Sequence, residues 1–137
     1  MTKMQVAEAQ SEQAVELFGR RDYVSALTLA GAAEEILCRM AHASRGFTAL
    51  DMDEHFLCGV YEYVGHQPPA RKQVVDDANR VRNHLKHGSG SADEMVKADF
   101  KFEAQLMIDR AINNYLIGQG EQPASEQVRD YIKWYWT

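Results

Sequence analysis

Residues 82–87 read Arg-Asn-His-Leu-Lys-His, and they lie near the end of a predicted helix, shortly after another arginine, Arg80. An arginine guanidinium can bind a phosphate through two parallel hydrogen bonds, and a histidine can move protons as a general acid or base. The 2′-hydroxyl of RNA can itself attack the adjacent phosphorus, so a cleaving protein needs only to bind the phosphate and to move protons. Arg80 or Arg82 together with His84 or His87 could therefore support cleavage of RNA without a metal.

The predicted helix, which runs from about residue 68 to residue 87, spreads these side chains around its circumference. At about 100° per residue, it has an apolar stripe and a polar row on roughly the opposite face. The stripe contains Val74, Ala78, Val81 and Leu85, and the polar row contains Asp76, Arg80, Asn83 and His87. Arg82 and His84 flank the stripe on its two sides. Arg82 and His87 should point about 140° apart, with about 7.5 Å between them along the axis. They converge only through the reach of arginine, a distorted last turn at Gly88 or a second chain.

The same residues could instead end a helix or bind a metal. Basic side chains in the last turn have a structural role, because they compensate the partial negative charge at the end of a helix. Alternatively, His84 and His87 could hold a metal together with a carboxylate such as Asp76 or Glu35, although the neighbouring basic side chains disfavour a dication.

The second predicted helix carries an acidic pair, Glu34 and Glu35, within an apolar sequence. Either residue could act as a catalytic acid or base. Carboxylates in such a setting more often pair with arginine, here with Arg39 one turn later or with Arg82 across the bundle.

The run from Arg82 to His87 resembles the signature of HEPN domains (the higher eukaryotes and prokaryotes nucleotide-binding family), in which an arginine and a polar residue, often asparagine, precede a histidine. Longer spacings also occur in that family, so Arg80 with His87 is a second match. Residues 22–40, with the sequence DYVSALTLAGAAEEILCRM, are similar to the Ala-rich early helix of some HEPN proteins, including its acidic pair.

The resemblance implies an all-α bundle that dimerises, with the arginine and histidine of both subunits facing a shared cleft. Arg82 would then bind and stabilise the scissile phosphate, His87 would move the proton, and Asn83 would orient the pair or contact the phosphate. The further candidate binding residues are Arg80, His84, Lys86 and Glu35. The expected substrate is RNA, and neither a metal nor another cofactor is expected.

Many HEPN proteins are metal-independent ribonucleases of toxin–antitoxin, phage-defence or RNA-processing systems, so the resemblance implies an endoribonuclease first. Others bind nucleotides or pair with a nucleotidyltransferase, and some are inactive. The first alternative is therefore a catalytically inactive dimeric module that binds a nucleotide or a partner such as a nucleotidyltransferase antitoxin. The second is a plain helical interaction protein, in which residues 82–87 only end a helix.

Composition limits the remaining possibilities. The chain has 137 residues, 45% of them hydrophobic and 26% charged, which predicts one globular domain over residues 1–137. The formal net charge of −5 means that any contact with nucleic acid would need a local basic patch. No signal peptide and no run of about 18 apolar residues is visible, so a cytoplasmic protein without a membrane span is expected. Cys38 and Cys58 are expected to be buried free thiols.

The hydrophobic pattern predicts five helices and a short sixth, and no confident strand. The first five are expected at about residues 3–18, 23–44, 52–64, 68–87 and 91–117, with the last after Pro123 and Ser125. The second is the most apolar and is expected at the centre of the bundle. Ser91 and Glu94 match a capping box that would begin the fifth helix. The large apolar side chains of residues 131–136 should either dock on the bundle or cover a partner subunit.

Overall fold

The chain folds into six α-helices in a computed structural model that describes residues 1–87 and 90–137. The helices are α1 (Lys3–Gly19), α2 (Tyr23–Arg45), α3 (Ala49–Tyr63), α4 (Arg71–His87), α5 (Phe100–Gln119) and α6 (Glu126–Tyr135). No strand occurs in the described ranges, and the predicted all-α bundle of four to six helices is confirmed. None of these helices is both long and apolar enough to cross a membrane. The predicted stop at Gly88 falls on residues 88 and 89, which lie outside the described residues.

Side-chain caps begin five of the six described helices. Asp22 caps α2 and Ser125 caps α6, and each side chain accepts a hydrogen bond from a backbone N–H of the first turn. Thr48 and Asp51 form a reciprocal capping box that begins α3 about one turn earlier than predicted. α2 ends at Gly46, which has a φ of 80° and so adopts the left-handed conformation that glycine tolerates best.

The predicted capping box at Ser91 and Glu94 does not begin α5, and this prediction is wrong. The Glu94 N–H donates to the Ser91 carbonyl oxygen at 3.2 Å, which closes a turn that does not continue as a helix. The helix starts after Asp99, whose carboxylate accepts a hydrogen bond from the Phe102 N–H at 3.1 Å. Glu94 also contacts His84 of α4, so a tertiary interaction holds this segment and overrides the local signal.

α2 lies at the centre of the bundle, as predicted, and packs along α5 on one side and α1 on another. The buried apolar residues of these three helices include Ala26, Leu27, Ala30, Ala33 and Leu37 of α2, Met107, Ile108, Ala111 and Ile112 of α5, and Ala14, Val15 and Phe18 of α1. The small residues of α2 let its neighbours approach closely. As a result, the side of α2 that carries Glu34 faces the interior and not solvent.

α3 and α4 bury fewer of their residues against the bundle than α1, α2 and α5 do. α4 buries Val74 and Val81 of its predicted stripe, while Leu85 is exposed near the end of the helix. α3 buries only Ala49, so most of its apolar side chains are exposed or half-buried. The exposed residues on one side of α3, here named the α3 apolar face, are Met52, Phe56, Val60, Tyr63 and Val64. No element within residues 1–87 and 90–137 covers this face.

The aromatic C-terminus is divided between the core and the surface. The Tyr131 hydroxyl and the Trp136 indole N–H both donate to Oδ1 of Asp109 on α5, at 2.8 and 2.9 Å. Burial raises the pKa of the Asp109 carboxyl, although these two donors act in the opposite direction. Trp134 points away and is 75% exposed. The predicted docking on the bundle is therefore confirmed for part of the segment.

The two cysteines are free thiols, as predicted, but both are half-buried and not fully buried. Cys38 lies on a half-buried side of α2, and Cys58 belongs to α3, which is largely exposed. Burial raises the pKa of the Cys38 thiol, with Glu34 as a second cause, which favours the uncharged form.

Candidate functional site

The Arg82 side chain leaves α4 and reaches the buried side of α2. Its Nη1 donates a hydrogen bond to Oε2 of Glu34 at 3.1 Å, so the predicted pairing across the bundle is confirmed. Only 16% of the Arg82 side chain is exposed. Its Nε is buried and has no hydrogen-bond acceptor in the described part of the chain. The position of Arg82 is therefore defined at its end by Glu34.

Glu34 is the centre of this charged cluster, and its side chain is only 7% exposed. Its Oε1 accepts a hydrogen bond from Nδ2 of Asn114 at 3.3 Å and lies 3.3 Å from Nε of Arg110, although the Arg110 N–H is not aligned for a hydrogen bond. The Arg110 guanidinium also donates to the Asn79 side chain and to the Ala78 carbonyl oxygen. Two guanidinium groups thus share one buried carboxylate, which leaves an excess of positive charge at this position.

Asn114 connects the charged cluster to the start of α3. Its Oδ1 accepts a hydrogen bond from the Ala49 N–H at 2.8 Å, while its Nδ2 donates to Glu34. The side chain is almost completely buried. α3, α5 and α2 are therefore joined by one amide group.

Glu35 and Lys86, both predicted as binding residues, lie at the exposed rim next to Arg82. Oε1 of Glu35 is 3.9 Å from Nη2 of Arg82 and 3.6 Å from Nζ of Lys86. Both distances are longer than a hydrogen bond, and the Glu35 and Lys86 side chains are about half exposed. The Glu35 carboxylate therefore lies loosely between two cations.

A cleft of about 420 Å³ opens beside this rim, among α2, α3, α4 and α5. The cationic side chains that line it are Arg39, Arg71, Arg82, Lys86 and Arg110, and the carboxylates are Glu34 and Glu35. Arg39 is exposed and forms no ion pair within residues 1–87 and 90–137. The cleft is the kind of local basic patch that an acidic protein would need to bind a phosphate group.

Arg71, at the opposite side of the cleft, is already paired. Its Nη1 lies 2.7 Å from Asp51 and also contacts Glu54. Partial burial opposes ionisation of Asp51, but hydrogen bonds from the Thr48 backbone and hydroxyl and from Arg71 outweigh it, so the pKa of Asp51 is lowered. Arg71 therefore shapes the wall of the cleft, whereas Arg39 and Lys86 supply its more available positive charge.

The other predicted site residues lie apart from Arg82 in the single chain. Arg80, Asn83 and His87 are exposed, as the helix geometry predicts, and His87 has no polar side-chain partner in the described ranges. Nε2 of His84 lies 2.8 Å from Oε1 of Glu94, in the segment that precedes α5. The fold thus brings together Arg82, Lys86 and Glu35, and leaves His87 facing outward at the end of α4.

The alternative metal site is not assembled around the two histidines. His84 contacts Glu94, Glu35 faces Lys86, and Asp76 pairs with Lys72 at 2.8 Å. No group of three or more histidine, cysteine, aspartate or glutamate side chains in the described residues could hold an ion.

Several residues of the site were not identified from the sequence. They are Arg71, Asn79 and Arg110, which line the cleft, and Asn114, which contacts Glu34. Arg110 and Asn114 are one turn apart and interrupt the apolar sequence of α5, and both are buried. A buried polar pair at this spacing is a signal for a partner on a neighbouring helix. Arg71 and Asn79 carry no comparable signal, because they belong to a polar helix.

No protein-family model matches the chain, and no curated protein or solved structure matches it significantly. The similarity to HEPN domains therefore stays a prediction that rests on residues 82–87 and 22–40.

Proposed function

We propose that the protein is a metal-independent endoribonuclease of the HEPN type that acts as a homodimer in the cytoplasm. The motif from Arg82 to His87 supports this proposal, and so does its setting on the fourth helix of an all-α bundle. The observation that carries the proposal is that Arg82 lies at the rim of a cation-lined cleft, with Lys86 beside it.

The contacts of Arg82 leave part of its guanidinium available to a ligand. Nη1 is held by Glu34, but Nη2 is 3.9 Å from Glu35 and outside hydrogen-bond distance of it. A phosphate that replaced the loosely placed Glu35 carboxylate could accept hydrogen bonds from Arg82 and Lys86 together. Because Glu34 fixes the other side of the guanidinium, little side-chain entropy remains to be lost on binding.

In the proposed reaction, a histidine removes the proton from the 2′-hydroxyl, and the 2′-oxygen attacks the adjacent phosphorus. The bond to the 5′-oxygen breaks, and that oxygen receives a proton, which leaves a 2′,3′-cyclic phosphate and a 5′-hydroxyl. Arg82 stabilises the negative charge that develops on the phosphate oxygens. His87 is the proposed proton-transfer group.

A second copy of the chain supplies the missing part of this site. Within one chain, Arg82 faces α2 and His87 faces outward, so a partner's motif would complete the cleft. Exposed apolar surface supports such an assembly, since the α3 apolar face and Trp134 are uncovered in the single chain.

The proposal is tested by incubating the protein with RNA in the presence of a chelator and identifying the product ends. Arg82→Ala and His87→Ala should each slow cleavage by about 100-fold or more. Lys72→Ala is the control, because Lys72 lies on α4 outside the cleft and pairs with Asp76. Arg80→Ala decides between the two matches to the motif, since loss of cleavage in that variant alone would assign the role to Arg80.

The second candidate is a catalytically inactive dimeric module that binds a nucleotide or a partner protein such as a nucleotidyltransferase antitoxin. The pairing of Arg82 with Glu34 and the separation of His87 from both in the single chain support this candidate. Binding of a nucleotide or of RNA to the cleft without any change in the RNA would support it and would contradict the endoribonuclease.

A further inference from the structure

Arg82 crosses α2 directly over Gly31, one turn before Glu34. A Cβ atom built on Gly31 would lie 2.7 Å from Cδ and 3.3 Å from Cγ of Arg82. A separation below 3.0 Å is not tolerated between such carbon atoms, so a side chain at position 31 would force Arg82 to move. Gly31 is buried and has no positive φ, so its helical backbone conformation does not itself require glycine and would accept alanine.

The close approach is specific to this glycine among the helical glycines that the structure describes. A Cβ on Gly59 of α3 would meet nothing within 4 Å, and one on Gly118 of α5 would be at ordinary contact distance, 3.5 Å, from Ala41. Glycine in the middle of a helix is unfavourable, because it loses more conformational freedom than alanine does. The three atoms nearest to a Cβ at position 31 all belong to the Arg82 side chain, so this side chain accounts for the clash.

We infer that Gly31 is a positioning residue for Arg82, and that it sets how deeply the guanidinium sits between α2 and the cleft. The clash falls on the middle of the Arg82 side chain, whose end is held by Glu34 at 3.1 Å. A methyl group at position 31 would push the entire Arg82 side chain away from α2 and so separate its guanidinium from the Glu34 carboxylate. Glu34 would keep Arg110 and Asn114, so the fold should survive.

The consequence for ligand binding rests on the proposed function, in which Arg82 receives a phosphate. A displaced guanidinium would no longer be fixed on one side by Glu34 and would present its hydrogen bonds in many orientations. Gly31→Ala should therefore weaken the affinity for inorganic phosphate by about tenfold or more, as expected for one charge-assisted hydrogen bond. With RNA, both a higher KM and a lower kcat are expected, because Arg82 acts on the substrate and on the transition state.

A double-mutant cycle tests the positioning role without any ligand. Gly31→Ala, Arg82→Ala and the double variant are unfolded with urea, and Gly59→Ala serves as the control for helix propensity. With Arg82 present, alanine at position 31 should raise the urea midpoint less than Gly59→Ala does, or should lower it. In the Arg82→Ala background, where nothing remains to clash, it should raise the midpoint as much as the control. Equal shifts in both backgrounds would overturn the inference.

A spectroscopic measurement covers the case in which Arg82→Ala does not fold. The side-chain Nε–H signal of Arg82 in a ¹⁵N-labelled sample should move in Gly31→Ala and stay in place in Gly59→Ala. An unmoved signal in both variants would overturn the inference. The positioning role and the proposed function can fail separately. If positions 31 and 82 are coupled but the protein neither cuts RNA nor binds phosphate, the proposed function is contradicted and the positioning role of Gly31 is retained.

Discussion

The buried carboxylate of Glu34 on α2 lies 3.1 Å from the guanidinium of Arg82 on α4. This ion pair joins the central helix of the bundle to the first residue of the proposed signature. The stability of the fold and the geometry of the candidate site therefore depend on the same contact.

Glu34→Gln should destabilise the protein by about 3 kcal/mol, because it leaves the guanidinium groups of Arg82 and Arg110 without a buried counter-charge. The free energy of unfolding from urea denaturation measures this loss. Glu35→Gln is the matched control, since the adjacent glutamate is about half exposed and its ion pairs are long. Equal effects of the two substitutions would mean that the buried ion pair contributes no more to the free energy of unfolding than the exposed one does.

Glu35→Gln should increase the affinity of the cleft for inorganic phosphate by a few-fold. The substitution removes a negative charge from between Arg82 and Lys86, and exposed ion pairs of this kind contribute about 0.2–1 kcal/mol. Calorimetric titration at low salt measures the change, and higher salt should reduce it. Weaker binding in this variant would show that the Glu35 carboxylate contributes to ligand binding and does not compete with it.

The α3 apolar face should be part of the contact between two chains. Phe56 is 73% exposed in the single chain, and the proposed dimer would bury it. Phe56→Glu is expected to convert the dimer into a monomer, because the interface would then contain an unpaired buried charge. Light scattering coupled to gel filtration measures the mass. Met95→Glu is the matched control, since Met95 is equally exposed but lies outside α3. A dimer that persists in the Phe56 variant would move the interface elsewhere.

Asp109 should give the protein a stability term that is lost as the pH rises. Its pKa in the folded state is raised above the ordinary value of 3.8 by burial, so the folded state binds the proton more tightly than the unfolded state does. The contribution is fully present below pH 3.8 and disappears as the pH rises through the raised pKa. Asp109→Asn removes this term and retains an acceptor for Tyr131 and Trp136.

The stability of Asp109→Asn relative to the parent should therefore improve from about pH 4 towards neutral pH. Urea denaturation across this range measures the difference. Asp130→Asn is the control, because it makes the same substitution at an exposed position next to Tyr131 on α6. A flat difference for Asp109→Asn would show that burial of this carboxylate does not affect folding.

Local sequence patterns predicted the helices well where the same local residues also form the interactions that begin, end or orient the helix. The predicted range 23–44 agrees with α2, which Asp22 and Gly46 begin and end through their own side-chain and backbone chemistry. The amphipathic pattern of α4 correctly placed Val81 inside and His87 outside. The capping signal at Ser91 led to a wrong prediction, because the contact between Glu94 and His84 that holds this segment joins residues on different elements.

The composition of the cleft could be predicted only in part, because most of its partners meet through the tertiary fold. The possible pairing of Glu34 with Arg82 followed from placing two charged residues on neighbouring helices. The roles of Arg110 and Asn114 depend on the packing of α5 against α2, and that of Arg71 depends on where α3 begins. The side chain of His87 takes its role from a neighbouring chain in the proposed dimer.

The amide at position 114 has a consequence for which residues that position can hold. It must offer an oxygen to the Ala49 N–H on one side and a nitrogen to Glu34 on the other. Aspartate would turn the nitrogen into a second repelling oxygen, and leucine would satisfy neither neighbour. Glutamine has the same groups on a stem one methylene longer, so its amide would not reach Ala49 and Glu34 from the same backbone position. The relative positions of α2, α3 and α5 therefore depend on one side chain that none of these three residues could replace.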